Sequence, residues 1–210
     1  LKVLDELTEN SALYSRIIGL DQESPDSELS HQLLELSRAQ GVASYLMLLF
    51  LFKKQNQLEL KDETLALLVK LLVCFFVRRN LTDTPPTRDL ERLFISICES
   101  LESEGLKGIA AAEYIKKRLV DVSASDASFK ERLEGPIYDV NPDMTRYVLT
   151  VIASPSVTKE MKPLWERYAS GNYVWTIEHI FPQGKNIPDE WVKMVADGDM
   201  SKAIEVQEKQ

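Results

Sequence analysis

Apolar residues recur along most of this chain at the three- and four-residue spacings of an α-helix. Leu1, Leu4, Leu7, Leu13, Tyr14, Ile17 and Ile18 mark a first helix, with a bend expected near Asn10-Ser11. Ser24-Pro25 followed by Asp26 and Glu28 reads as a helix start, with a cap, Pro at the first position and acids against the dipole. That helix carries Leu29, Leu33, Leu34 and Leu36 and ends near Gln40-Gly41. The next runs through Tyr45, Leu46, Leu49, Leu51 and Phe52 to Lys53-Lys54. Asp62 caps a third strong helix, carrying Leu65, Leu68, Val69, Leu72, Val73, Phe75 and Phe76 and closing on Arg78-Arg79-Asn80. It is apolar nearly all round, which predicts the centre of the core. Thr82 to Pro86 is a connector, because consecutive prolines block a helix. Further helices are predicted at about Thr87 to Glu102, Gly108 to Val120, Ser128 to Leu133 (Ser128 and Glu131 as a capping box), Asn141 to Ala153 and Thr158 to Ala169.

After Ser170-Gly171 the pattern changes. Tyr173, Val174, Trp175, Thr176 and Ile177 are β-branched or aromatic and predict a strand. Asn186 to Trp191 reads as a loop feeding a short helix through about Ala196, and the polar stretch Ser201 to Gln210 is expected to fray. The fold class is therefore mainly α. A multi-helix bundle or array over residues 1–170 precedes a small, differently patterned module over 171–210.

Composition narrows this further. Eight glycines among 210 residues, with frequent Leu, Glu and Lys, favour helix over sheet, and 44% apolar with 28% charged residues suits a soluble domain. Cys74 and Cys98 lie far apart in apolar helical contexts, so they are expected to be buried thiols in a reducing, cytoplasmic setting; no zinc-type spacing is present. The most apolar run, Val42 to Phe52, falls short of the roughly 20 residues that span a bilayer, so no membrane association is expected. A net charge of −8 argues against tight, non-specific DNA binding by this stretch alone, although a compact metal site can sit on an acidic protein. Leu1 to Glu6 already follows the helical pattern with no initiator Met, so the chain is expected to be cut from a longer protein.

The stretch with chemistry in it is Thr176-Ile177-Glu178-His179-Ile180-Phe181-Pro182-Gln183. An acid and a histidine sit side by side between apolar residues, followed closely by Pro-Gln. Phosphodiester hydrolysis needs a base to activate water and a divalent cation to carry charge on the leaving oxygen. Adjacent residues of a strand point to opposite faces, so both can face one metal only where the strand breaks. Phe181-Pro182 supplies that break. The plainer reading is an edge strand with a solvated Glu-His pair.

The longer string Trp175 to Gln183 resembles the opening of the HNH (ββα-metal) module in GmrSD-type, modification-dependent restriction endonucleases. It is also similar to the Asp-His-Ile-x-Pro-Gln opening of the HNH domain in RNA-guided CRISPR nucleases. Leu71 to Asn80 resembles the GmrSD-type apolar helix ending in paired arginines, Arg146-Tyr147-Val148-Leu149 its Arg-Tyr-x-Leu helix, and Asp189-Glu190-Trp191 an acidic-Trp element after the Pro-Gln. The resemblance implies that His179 is the general base and Glu178 a metal ligand, with Mg²⁺ or Mn²⁺ as cofactor and DNA, including modified DNA, as partner. It implies a prokaryotic, cytoplasmic enzyme of defence against phage or other foreign DNA, with homo-oligomerisation left open. It also places the metal-binding Asn and closing helix after Gln210, and a nucleotide-binding domain before Leu1. Residues 171–210 would then be the incomplete start of the module, inactive alone. The competing class is a non-catalytic helical interaction scaffold.

Other candidates have plainer readings. His31, in Ser30-His31-Gln32, lacks an adjacent acid or cysteine and reads as a surface residue. Arg78-Arg79 could meet phosphate, or could pair with helix carbonyls and nearby acids. Lys116-Lys117-Arg118 reads as a solvated helix face. Tyr168 to Trp175 could stack a base or, as the preferred reading, pack a small β element onto the helical region.

Overall fold

The computed structural model describes residues 2–19, 27–158, 160–178, 181–182, 184 and 186–208, without the side chains of 2, 3 and 5–7. The chain is mainly α-helical and separates into two compact units, 1–147 and 148–210, with the division falling inside one helix.

In the first unit the elements are α1 (Lys2–Ile17), α2 (Glu28–Arg38), a 3₁₀ turn (Val42–Ser44), α3 (Tyr45–Lys53), α4 (Asp62–Thr82), α5 (Thr87–Ser103), α6 (Gly108–Val122), α7 (Asp126–Leu133) and α8 (Ile137–Val140). The helix α9 (Pro142–Ala153) follows. α4 is the organising element. Its buried residues include Leu65, Leu68, Val69, Leu72, Val73, Phe75 and Phe76, which lie on more than one face of the helix. Neighbours must therefore cover it from several sides, and α2, α6 and α7 pack against it. Phe75 and Phe76 both meet Phe94 of α5, with ring centroids 6.3 and 6.1 Å apart. Leu36, Leu48, Leu51, Ile97 and Ile115 complete the core from neighbouring helices.

The C-terminal end of α2 is closed by a tight approach of the chain to its own last turn. A Cβ at Gly41 would lie 2.2 Å from Leu36 Cδ1, and Leu36 is fully buried, so only glycine fits where the chain leaves α2.

Several predicted boundaries shift. α1 is continuous through Asn10-Ser11. Ser24-Pro25 lies outside the described residues; α2 begins at Glu28, where Ser27 accepts the Ser30 N–H at 3.1 Å. Asp62 is the first residue of α4 and not its cap, which is Lys61. Ser125, not Ser128, caps α7, accepting the Ser128 N–H at 3.2 Å. Cys74 is exposed and Cys98 half-buried, and both are free thiols, so the expectation of two buried thiols fails. Cys74 falls on the flank of α4 that its neighbours leave uncovered, an asymmetry that a nearly uniform apolar pattern does not reveal.

In the second unit, Thr158 to Ala169 is not helical among its described residues. Pro163 sits in its middle, where it removes a backbone donor and clashes with the preceding turn. Instead, residues 166–174 form a short antiparallel hairpin. Val174 N–H donates to Glu166 O at 2.9 Å, Tyr168 N–H to Asn172 O at 2.8 Å, and Arg167 bridges Tyr173. Gly171 N–H closes the turn onto Tyr168 O at 2.9 Å, and Gly171 takes the left-handed conformation (φ +86°) that this turn requires. The predicted strand over 173–177 is reduced to that single bridge among the described residues, because Pro163 cuts short the segment it would pair with.

α10 (Asp189–Ala196) and α11 (Met200–Glu208) close the unit. The expected frayed tail is thus helical to Glu208, with Asp199 accepting the N–H groups of Ser201 (3.0 Å) and Lys202 (3.2 Å) at its start. Phe181, Ile187, Val192, Ala196 and Ala203 form a small core with Trp191, Val195 and Val206 packed against it. Among the described residues no helix is long and apolar enough to cross a membrane.

The hub role of α4 sets an expected contrast. Phe76→Ala should cost about 3–5 kcal/mol, while Leu67→Ala on the exposed flank of the same helix should change stability by no more than about 0.5 kcal/mol. Urea unfolding followed by helical circular dichroism measures both; equal costs would remove α4 from the centre of the core.

Candidate functional site

The Glu-His segment is anchored from its C-terminal side. Phe181 is 2% exposed and meets Trp191 edge to face, with centroids 5.3 Å apart. Gln207 of α11 donates through Nε2 to Pro182 O at 2.6 Å and to Gly184 O at 3.0 Å. The aromatic ring and the two carbonyls therefore fix where the chain leaves the motif. The sequence drives this locally: Pro188 precedes α10, Asp189 and Glu190 occupy its first turn, and Trp191 follows on the face that meets Phe181.

From the N-terminal side the hairpin leads in. Trp175 donates its indole N–H to Lys162 O at 3.1 Å. Three residues later Glu178 is exposed, and its Oε1 accepts a hydrogen bond from the Thr176 hydroxyl at 2.6 Å. An exposed carboxylate is the hard oxygen donor that Mg²⁺ or Mn²⁺ takes. His179, the expected general base, lies outside the described residues, as do Ile180 and Gln183. Among the described residues no group of three His, Cys, Asp or Glu side chains could hold a metal ion.

Compared with protein-family models, curated proteins and solved structures, the chain matches none. Any reading of the segment rests on its own residues and on the likeness of its motif.

The basic candidates are engaged in structure. Arg78 donates to Ala124 O (3.0 Å) and Asp126 (2.7 Å), and lies 4.7 Å from the centroid of the Phe129 ring, clamping α7 onto α4. Arg79 donates to Pro85 O (3.0 Å), Asn80, Asp83 (2.8 Å) and Thr87 (2.7 Å), which ties the connector to the end of α4. Each guanidinium is spent on nearby acids, as in the plainer reading, and on carbonyls of the connecting segments in place of those of α4. In Lys116-Lys117-Arg118, Lys117 pairs with Asp121 at 2.6 Å and Arg118 bonds Ser96 Oγ at 2.9 Å and Tyr114 OH at 2.8 Å. His31 is exposed on α2, with Nδ1 3.4 Å from Gln32 Nε2.

Tyr147 of the Arg-Tyr-x-Leu stretch is a core residue. Burial first, then the charge and hydrogen bond of Glu35, push its phenol well above the ordinary range; Glu35 in turn pairs with Arg38 at 2.6 Å. The group that sequence reading missed is Arg167. Its guanidinium sits over the Tyr173 ring at 3.8 Å, donates to Gly171 O at 2.8 Å and also bonds the Tyr173 hydroxyl. The alternation Trp165, Arg167 and then Tyr173, Trp175 across Gly171 is the signal that could have found the hairpin.

The thiols separate chemically. Burial, followed by the charge of Glu102, pushes Cys98 up to about 11. At pH 8 it should hold about 100-fold less thiolate than an ordinary thiol. Brief iodoacetamide treatment with peptide mapping should therefore label exposed Cys74 first, and Cys98 labelling should climb as pH rises toward 11. Equal labelling of the two at pH 8 would contradict this placement.

Proposed function

We propose that this chain is the helical part and the opening of the HNH module of a prokaryotic, restriction-type DNA endonuclease. In this reading Glu178 is a ligand of a divalent metal, Mg²⁺ or Mn²⁺, and His179 is the general base that activates water. In the resembled family, nucleotide dependence and the remaining metal ligand are supplied by other elements. The DNA cleaved would be foreign or modified.

One observation carries the reading: Glu178 is an exposed carboxylate on irregular backbone, three residues ahead of the buried Phe181 wedge. Adjacent side chains on a regular strand would diverge, whereas a broken strand held on its far side by Phe181 and Gln207 lets neighbours converge on one ion. The likeness of Trp175 to Gln183 to the HNH opening supplies the chemistry. A helical scaffold with a structural Glu-His pair is the second reading, favoured by the Thr176–Glu178 hydrogen bond, a local tie that needs no metal.

Cleavage rate against metal concentration, measured beside a thermal melt, tests the two. Residues 1–210 alone should show negligible Mg²⁺- or Mn²⁺-dependent cleavage. In a protein that carries the resembled family's metal-binding Asn as well, His179→Ala should lower the rate by roughly 10²–10⁴ without lowering the melting temperature. Glu178→Gln keeps size but weakens the charge against the metal, so its activity should partly return at high metal concentration. Activity losses in both variants that merely follow a lowered melting temperature would leave the scaffold reading.

A further inference from the structure

Both anchors of the Glu178 segment pass through α11. The carbonyls of Pro182 and Gly184 share one donor, Gln207 Nε2, at 2.6 and 3.0 Å. Phe181 sits in a core to which α11 adds Ala203, fully buried, and the half-buried Val206. Removing α11 would take the donor from two carbonyls and one wall from around Phe181.

The same helix is weakly held. It has nine residues, and isolated helices shorter than about 12–15 residues are marginal in water. Its charges oppose the helix dipole: Lys202 lies in the first turn and Glu205 and Glu208 in the last, with no acid at the start and no base at the end. Its local support is Asp199, which accepts the N–H groups of Ser201 and Lys202. α10 is the opposite case, with Asp189 and Glu190 in its first turn and Lys193 in its last. α10 also buries Val192 and Ala196, with Trp191 and Val195 packed beside them, whereas α11 fully buries a single alanine. The order of α11 therefore comes from its docking, so that undocking and unfolding are one event.

We propose that α11 is an order–disorder latch on the Glu178 segment. Docked, it holds Phe181, Pro182 and Gly184 in place; unfolded, it releases them while α10 stays formed. The switch needs no rearrangement of the larger helical unit, and whatever favours either state of α11 shifts the segment with it. Its effect on a metal at Glu178 rests on the nuclease reading, while the latch itself does not.

Hydrogen exchange of the backbone amides of the 210-residue chain, followed by nuclear magnetic resonance at low ionic strength, reads the latch. The amides of α11 should exchange well before those of α10. Glu205→Gln removes an exposed charge that opposes the dipole and should slow α11 exchange roughly two- to five-fold. Gln207→Ala removes the shared donor and should speed it roughly two- to ten-fold. Neither should alter α10. Ile204→Pro, in the interior of α11 where proline breaks a helix, should shift the ring signals of Phe181 and Trp191 and leave α10 helical. The latch is overturned if α10 and α11 exchange in one step, if Glu205→Gln and Gln207→Ala leave α11 exchange unchanged, if Ile204→Pro unfolds α10 as well, or if it leaves the two ring signals where they were. Mn²⁺ titration then separates the two readings. Ile204→Pro should need roughly 10- to 100-fold more Mn²⁺ to broaden Thr176 than the parent chain does. No broadening of Thr176 in the parent sinks the metal assignment and leaves the latch standing. Equal broadening in both chains overturns the coupling of the latch to the site.

Discussion

A helix that is apolar on more than one face cannot be covered by a single neighbour, and α4 imposes that constraint on the larger unit. Burying Val73 on one side of the helix, Phe75 on another and Phe76 between them requires α2, α5, α6 and α7 to approach from several directions. That fixes the direction in which the short connectors must run. The end of α4 then needs ties to the connector that turns away from it and to α7. Arg78 and Arg79 supply these, reaching Ala124, Asp126, Pro85 and Asp83. A pair of arginines that could have contacted phosphate is consumed by the architecture.

The helical architecture was legible because helical periodicity and burial are the same fact seen twice. Leu33 and Leu36, Leu68 and Leu72, Leu93 and Ile97 recur at three- and four-residue spacings and are all buried. Errors arose where one local rule outweighed another. Ser128-x-x-Glu131 satisfies the capping-box pattern, yet the chain starts α7 one turn earlier, where Ser125 can cap and Arg78 can reach Asp126. Apolar spacing over 158–169 suggested a helix, but Pro163 decides that segment and converts it to one arm of a hairpin. Cys74 was misplaced because a pattern that is apolar nearly everywhere does not say which flank stays uncovered. At the candidate site the break at Phe181-Pro182 could be anticipated from Pro182, whereas the tie from Gln207 to Pro182 and Gly184 spans more than twenty residues and leaves no local signal.

The smaller unit shows how little core is needed to hold a short motif. Five buried side chains, Phe181 among them, with Trp191 against its ring, set the position of the chain just after the Glu-His pair. Thr176 orients Glu178 from just before it. In the nuclease reading, this exposed carboxylate is where a divalent ion binds.

Nuclear magnetic resonance of the 210-residue chain during Mn²⁺ titration tests this most directly, because the paramagnetic ion broadens only nearby signals. At about millimolar Mn²⁺, the range of weak carboxylate sites, a metal-ligating Glu178 predicts earliest broadening around Thr176 to Pro182, and its loss in Glu178→Gln. Broadening centred on other acidic positions, such as Asp62-Glu63, and unchanged by Glu178→Gln would contradict the assignment of Glu178 as a metal ligand.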